Sequence, residues 1–556
     1  MQLVLLEAAG NQAYIFDSNR LTENVGASEL TYRAGTEHVL AAVAQVTGRD
    51  SLWHENAERL ASNLCDPRRN PPIEDGADLE VMLATSGKAL LLARTAELAV
   101  SVVQATELSV AQDAPGLDLS GAVSAPWTWG RGELARAVDD IHHTLGQVRS
   151  ALPGPEGRFL RLPVVRDCPV SGLPAEHWVR LRQEAEAISE CSWAKREAAQ
   201  GALRRLRAAF ATATRLPGDV RELDAALESA EERWVAVVHA DGNGLGAVFQ
   251  GFAAHAGGAG FTGDRGLVDS YRRFSLALDR CTRHAFRRAL AVLPASSGRD
   301  FPLLPLVLGG DDLTVLCAGT HGLALTTAYL RAFEAAPGEV PDGEVVGRIL
   351  EEATGQARPS ACAGVAIVKA HHPFHAAYQL AEELLRSAKG VNTPRRAPAP
   401  VSAVDFHVLH DASLSRLEDL RAHLRPAGMG TRLYGRPYVV SDPGDGAWAQ
   451  AHHWGRLDRA LGALRAKVSG GRARLLPASQ THALRRGLFL GKDEADAMLH
   501  LIADRYPPEA IAALQADPEH GSLFRKEEIA GEAVWVTHLL DALELDGMGA
   551  SREEGL

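Results

Sequence analysis

The stretch LLPLVLGGDDLTVLCAG, residues 303–319, sets Gly309-Gly310-Asp311-Asp312 between two apolar runs. Each run has the length and composition of a buried strand, and the four residues between them read as the turn of a hairpin. Glycine lets a bulky ligand approach the backbone closely, and paired aspartates at the tip offer hard oxygen ligands suited to Mg²⁺ or Mn²⁺. Such a hairpin can hold a triphosphate together with its metal. Acidic glycine turns are also common on protein surfaces, so the motif gains meaning only if another carboxylate stands beside it.

That carboxylate lies upstream. Trp234 to Ala240 reads as a strand ending at Asp241-Gly242-Asn243-Gly244. A helix follows at about 268–293, then the hairpin, a helix near 323–335, a strand over 361–368 and a helix over 375–389. This order predicts a ferredoxin-like unit, in which the first and third strands are central neighbours. Asp241 then meets Asp311, with Asp312 beside it, and the three can share two metal ions. A metal pair suits phosphoryl transfer by activating an attacking hydroxyl and neutralising pyrophosphate. Gly242, Asn243 and Gly244 are expected to offer free backbone N–H groups to phosphate oxygens at a helix start, and Gly309 and Gly310 to let the nucleotide approach the hairpin backbone. Lys389, in Arg386-Ser387-Ala388-Lys389-Gly390, is placed to cap the triphosphate, although a lysine at a helix end also serves simply as a dipole partner.

The same layout occurs earlier. Strands are predicted over 3–6, 80–85, 89–92 and 117–124, with helices at about 18–45 and 96–109. The chain therefore carries an internal duplication. Aligning the copies by motif lays Gly10-Asn11 on Gly242-Asn243, and Ser86-Gly87-Lys88-Ala89 on Gly309-Gly310-Asp311-Asp312. On that alignment Ala9, Lys88 and Ala89 replace the three acids, so the first copy keeps the scaffold without the ligands. The expected class is α+β, with four parts. A degenerate first ferredoxin-like domain spans 1–125 and a mostly helical insertion 126–232, with two long helices between 176 and 232 broken near Pro217-Gly218. The second ferredoxin-like domain spans 233–400, ending in a Pro-rich linker, and a helical domain covers 401–556.

Composition bounds the function. A length of 556 residues accommodates roughly three to four domains. A net charge of −12 argues against nucleic-acid binding by bulk charge. The six cysteines form no C-x-x-C pair, which fits a reducing cytoplasm. No signal-like N-terminus or membrane-length apolar stretch is visible, so a cytoplasmic protein is expected, with no membrane partner.

With these motifs in view, the chain resembles the large subunit of type III CRISPR effector complexes, Cas10/Cmr2, with its paired palm domains. Beyond the acidic turn at Asp241 and the GGDD hairpin, the resemblance rests on 10–16 (GNQAYIF), 18–21 (SNRL) and 23–28 (ENVGAS) in the first palm. Ala363 to Ile367, His371-His372-Pro373-Phe374 and Arg436-Pro437-Tyr438 extend it. The resemblance implies synthesis of cyclic oligoadenylates from ATP, with Asp241, Asp311 and Asp312 as metal ligands and the first palm seating a second ATP as acceptor. It also implies guide and target RNA and other effector subunits as partners. A stand-alone or homo-oligomeric relative is the alternative.

Departures from the family pattern qualify this. With the first palm starting at residue 1, the HD nuclease of many relatives, and nuclease activity with it, are not expected. Asn243 stands where a second acid is frequent. Cys168-Pro169-Val170-Ser171 keeps one cysteine of a zinc knuckle, and Cys191 with His177 completes only part of a set, so no structural zinc is expected. Two other functions fit the same residues: a diguanylate-type cyclase using GTP, or a non-catalytic scaffold subunit. Arg485 and Arg486, near the C-terminus, are expected to contact a partner or RNA.

Overall fold

A computed structural model describes residues 1–550 apart from 154–156, 158, 160, 161, 182, 183, 211–215, 218, 220–233, 295–302, 394, 395, 398, 411–415, 427, 445, 469–472 and 530. The first sheet comprises β1 (Gln2–Ala9), β2 (Leu79–Thr85), β3 (Lys88–Ala93) and β4 (Asp118–Val123). Its order is β2-β3-β1-β4, the ferredoxin-like arrangement, with β1 antiparallel to both of its neighbours. Leu3 to Leu6 are fully buried because both faces of β1 are covered. Val4 and Leu6 join a core with the helices Val39–Thr47 and Ala96–Asp113. Leu3 and Leu5 share the other core with Leu134, Ile141 and Leu145 of the helix Leu134–Ala151. A strand buried on both faces reads as a continuous apolar run, as this one does.

Between the sheets, the hairpin β5 (His177–Leu181) and β6 (Glu184–Ile188) occupies a stretch expected to be helical. Glu184-Ala185-Glu186-Ala187 favours helix by residue type, but pairing lets Ala187 and Ile188 be buried together. The expected helix begins only at Glu190, where the Ser189 side chain accepts from Ser192 N, and ends at Ala209. The second expected helix, beyond Pro217, falls outside the described residues.

The second sheet contains β7 (Trp234–Gly242), β8 (Leu304–Gly309), β9 (Asp312–Ala318), β10 (Ala361–Lys369) and β11 (Ala403–Val408). Within the C-terminal region lie β12 (Thr431–Arg432), β13 (Tyr438–Val439), β14 (Arg525–Ile529) and β15 (Glu532–Val536). The order β13-β11-β10-β7-β9-β8 is the same ferredoxin-like core, widened by β11, parallel to β10, and by β13. The expectation of helix from 401 onward is corrected here, since β11 belongs to the palm sheet and β12, β14 and β15 form a small sheet of their own. Polar Asp405 and His407 hide this strand from a reading by hydropathy. Asp405 is fully buried, and its carboxylate accepts from Arg421 Nη2 at 2.6 Å.

One face of the second sheet packs Ala236, Val238, Leu313 and Val315 on the helices Gly263–Ala291 and Gly319–Ala335. The other face, with Val235, Val237 and Leu316, packs on the helix Phe374–Lys389 and on Ile15 and Phe16 of the first palm. Gly364 allows that helix its close approach, because a Cβ there would lie 2.0 Å from the Ala381 carbonyl oxygen. The palms are joined by ring stacking of Phe16 on Tyr378, with centroids 3.8 Å apart, and by buried Arg272, which donates to Glu80 at 2.6 Å. Among the described residues no helix is long and apolar enough to cross a membrane.

Candidate active site

The central position of β7 delivers the site. Asp241 stands one residue from the end of β7, and the β8–β9 hairpin closes beside it with Gly309 paired to Asp312 and Gly310-Asp311 in the turn. One ligand oxygen from each of Asp241, Asp311 and Asp312 lies within 4.8 Å of the others. Burial first, then the charge of Asp241, pushes Asp311 up to about 7. Burial, together with Asp311 and Asp241, raises Asp312 as well. The cluster is thus strained by its own negative charge. A donor set made only of carboxylate oxygens, under mutual repulsion, fits a hard divalent cation such as Mg²⁺ or Mn²⁺.

The glycines make the geometry possible. A Cβ on Gly242 would lie 2.9 Å from Asp311 Oδ2 and 2.5 Å from Leu245 Cδ1, so the aspartate side chain fills the room a residue with a side chain would take. Gly310 is left-handed, with φ of 61°. Its N–H donates to Asp279 Oδ1 at 3.3 Å, and its carbonyl accepts from Thr282 Oγ1 at 2.5 Å. Asp279 and Thr282, one turn apart on the helix Gly263–Ala291, therefore fix the hairpin tip. The sequence reading missed both. Their signal was a polar pair interrupting an otherwise apolar stripe that includes Leu278 and Cys281.

Lys389 reaches the site from the end of its helix, with Nζ bonded to Asp241 Oδ2 and 3.5 Å from the Gly242 carbonyl oxygen. Asn243 does not offer the free donors expected of it. Its N–H donates to the Ser360 carbonyl at 2.8 Å, and its side-chain amide donates to Ser360 Oγ and the Val401 carbonyl. Asn243 ties the end of β7 to the starts of β10 and β11. Away from the site, His177 is bonded to Glu190 and stacked on Trp193, while Cys168 Sγ lies 3.7 Å from Ser192 Oγ.

The strand registers correct the alignment of the two copies. Gly10 and Gly244 are both left-handed residues immediately before short helices, with φ of 63° and 70°. Counting back equally from each puts Glu7, not Ala9, in the place of Asp241. The hairpins agree. Thr85 pairs with Lys88 as Gly309 pairs with Asp312, and Glu7 pairs with Lys88 where one further step of the β7–β9 ladder sets Asp241 opposite Asp312. Lys88 therefore stands for Asp312 and Gly87 for Asp311. Motif letters misplaced the register because the two turns spend their glycine differently: the left-handed residue comes second in Ser86-Gly87 but first in Gly310-Asp311. Burial alone would raise the Glu7 carboxyl, but Lys88 at 2.8 Å and Arg149 at 3.1 Å outweigh it and hold the carboxyl low.

Both hairpins line one cavity of about 300 Å³ between the palms, together with Asn11, Tyr32, Arg205 and His239. His239 Nδ1 lies 3.0 Å from Thr314 Oγ1, and burial lowers its pKa, which favours a neutral imidazole.

Residues 234–396 match the family model of the Cas10/Cmr2 second palm domain. No curated protein matches. Among solved structures, the chain is similar to the Csm1-Csm4 subcomplex of the type III-A CRISPR-Csm interference complex, at 14% identity and a TM-score of 0.50, covering 98% of this chain and 70% of that one. A Csm1-Csm4 cassette in complex with cA4 gives 14% identity and 0.49 over 98% and 70% of the two chains. Csm1 from T. onnurineus gives 13% and 0.47 over 98% and 69%. Residues 234–396 are a second palm domain of the Cas10/Cmr2 family, set in a chain that shares the fold of Csm1.

Proposed function

We propose that the chain is a metal-dependent nucleotidyltransferase that converts ATP into cyclic oligoadenylates, acting beside other subunits of a type III CRISPR or related RNA-guided defence complex in the cytoplasm. The observation that carries this reading is the convergence of Asp241, Asp311 and Asp312 at the end of the central strand of a Cas10/Cmr2 second palm, with Asp311 and Asp312 lining a cavity shared with the first palm. The three carboxylates would hold Mg²⁺ or Mn²⁺, which when bound supplies charge neutralisation on the triphosphate and a lowered pKa for the attacking hydroxyl.

The chain's own residues do the rest. Gly309 and Gly310 add no side chains of their own to the hairpin tip, whose backbone Asp279 and Thr282 hold in place for the phosphates. Lys389 has a flexible stem and is bonded to the carboxylate cluster; it can turn from Asp241 to the pyrophosphate once that carboxylate has another partner. A second nucleotide, seated toward the first palm, presents its 3′-hydroxyl. That hydroxyl gives up its proton to solvent, the new bond joins its oxygen to the α-phosphorus, the bond from α-phosphorus to the β-bridging oxygen breaks, and pyrophosphate leaves. Repetition followed by closure on the first residue gives a ring.

The test isolates the chain from its host with whatever co-purifies. Any bound RNA is sequenced, and the sample is incubated with ATP and Mg²⁺ or Mn²⁺, with and without RNA complementary to the bound guide. Mass spectrometry should find cyclic oligoadenylates and matching pyrophosphate, both absent in Asp311→Ala/Asp312→Ala. Pyrophosphate release that survives in that variant, or a complex inert with its target RNA, refutes the proposal. Consumption of GTP in preference to ATP would establish the diguanylate-type alternative.

A further inference from the structure

Where the second palm gathers three acids around one lysine, the first palm sets two cations on one acid at the matching strand end. At the end of β7, Asp241, Asp311 and Asp312 face one cation, Lys389. At the matching end of β1, one carboxylate, Glu7, faces two cations, Lys88 at 2.8 Å and Arg149 at 3.1 Å. Arg149 also donates to the Glu7 backbone carbonyl at 2.7 Å and so holds the carboxylate in place. Of these three groups Lys88 is the one that lines the inter-palm cavity, with Ser86 and the acidic hairpin. Close by, Asn11 Oδ1 is buried without a hydrogen-bond partner, and its Nδ2 would be 3.2 Å from a Cβ on Gly87. An orphaned carbonyl oxygen beside a lysine and a serine hydroxyl provides for a ligand with both an anionic group and a hydroxyl donor.

We propose that Lys88, at the place of Asp312, takes the polyphosphate of a nucleoside triphosphate directly, so that the first palm binds its nucleotide without a divalent cation. Asn11 Oδ1 then accepts from a ribose hydroxyl of the same nucleotide. The protein thus carries one cation-dependent and one cation-independent nucleotide site across a single cavity. A lysine bonds phosphate as a point charge and needs no fixed coordination geometry. This rests on the proposed use of ATP, but metal-free binding can be measured without turnover.

The experiment titrates the full chain with AMPPNP by calorimetry, in EDTA and then in Mg²⁺. In EDTA the wild type should bind one AMPPNP per chain. Lys88→Glu should weaken that binding at least tenfold, and the isosteric Lys88→Met should do so if the charge reversal fails to fold. Lys88→Arg should restore most of it. Asp311→Asn/Asp312→Asn should retain the EDTA site and lose the second one that Mg²⁺ adds in the wild type. No binding in EDTA, or EDTA binding retained at full affinity in Lys88→Met, or lost in Asp311→Asn/Asp312→Asn, overturns the proposal. Failure to make oligoadenylates while EDTA binding follows Lys88 would refute the activity and leave this site standing.

Discussion

Removing one acid from the cluster of Asp241, Asp311 and Asp312 should make the metal-free protein more stable. Asp311 is raised from 3.8 to about 7 by burial and by Asp241. A shift of about three units at about 1.36 kcal/mol each sets an upper bound of about 4 kcal/mol. Coulomb's law agrees in scale, since two charges at the 4.8 Å limit of the cluster repel by about 3.5 kcal/mol at an effective dielectric constant of about 20. The three acids share this repulsion, Asp311 is only partly buried, and Lys389 relieves Asp241, so about 1–2 kcal/mol is the expected gain for Asp311→Asn.

The sign follows from linkage. The folded chain holds the Asp311 proton more tightly than the unfolded chain, so stability is present in full below the unfolded pKa. It falls as pH rises through the window from 3.8 to about 7. The advantage of Asp311→Asn should therefore be small near pH 4, grow to its full size near pH 7, and stay level above. Hydrogen exchange of β7, β8 and β9 amides against urea, in EDTA at several pH values, reads the second sheet alone. Saturating Mn²⁺ should reverse the order, because ligand at about 100 times its Kd adds about 2.7 kcal/mol to the wild type only. An Asp311→Asn protein less stable than wild type in EDTA at pH 8, or a difference that ignores pH, would refute the picture of a cluster strained by its own charge.

Other perturbations test the supports of the site. Gly242→Ala should displace Asp311, whose oxygen lies 2.9 Å from the new Cβ, and cut pyrophosphate release about 100-fold or more while circular dichroism stays native. Gly364→Ala should push back the helix that carries Lys389, since the Cβ would meet the Ala381 carbonyl at 2.0 Å; a loss of about 2–4 kcal/mol in urea unfolding is expected, with weaker AMPPNP binding in Mg²⁺. Arg436 is 1% exposed, bonded to Asp541, Glu544 and the Phe406 carbonyl. Arg436→Met leaves two acids buried without their cation and should cost about 3–5 kcal/mol, measured as the loss of protection in the helix Leu539–Ala550.

Local chemistry made much of this protein legible. The apolar runs around Gly309–Asp312 announced a hairpin because strand period, glycine turns and carboxylates are encoded over a few residues. The repetition of that layout gave both palms and located Asp241. By itself the sequence therefore determined two ferredoxin-like units and three acids meeting at one strand end. What it concealed depends on long-range packing. Strand β11 was hidden because Asp405 is polar, and only Arg421 arriving from a later helix makes its burial tolerable. Asp279 and Thr282 have no role until the hairpin docks on their helix. The counterpart of Asp241 was misassigned to Ala9 because letters align by motif, whereas strands align by hydrogen-bond register. Only the tertiary structure set Glu7, Lys88 and Arg149 together, because their contacts join a strand end, a hairpin and a helix far apart in the chain.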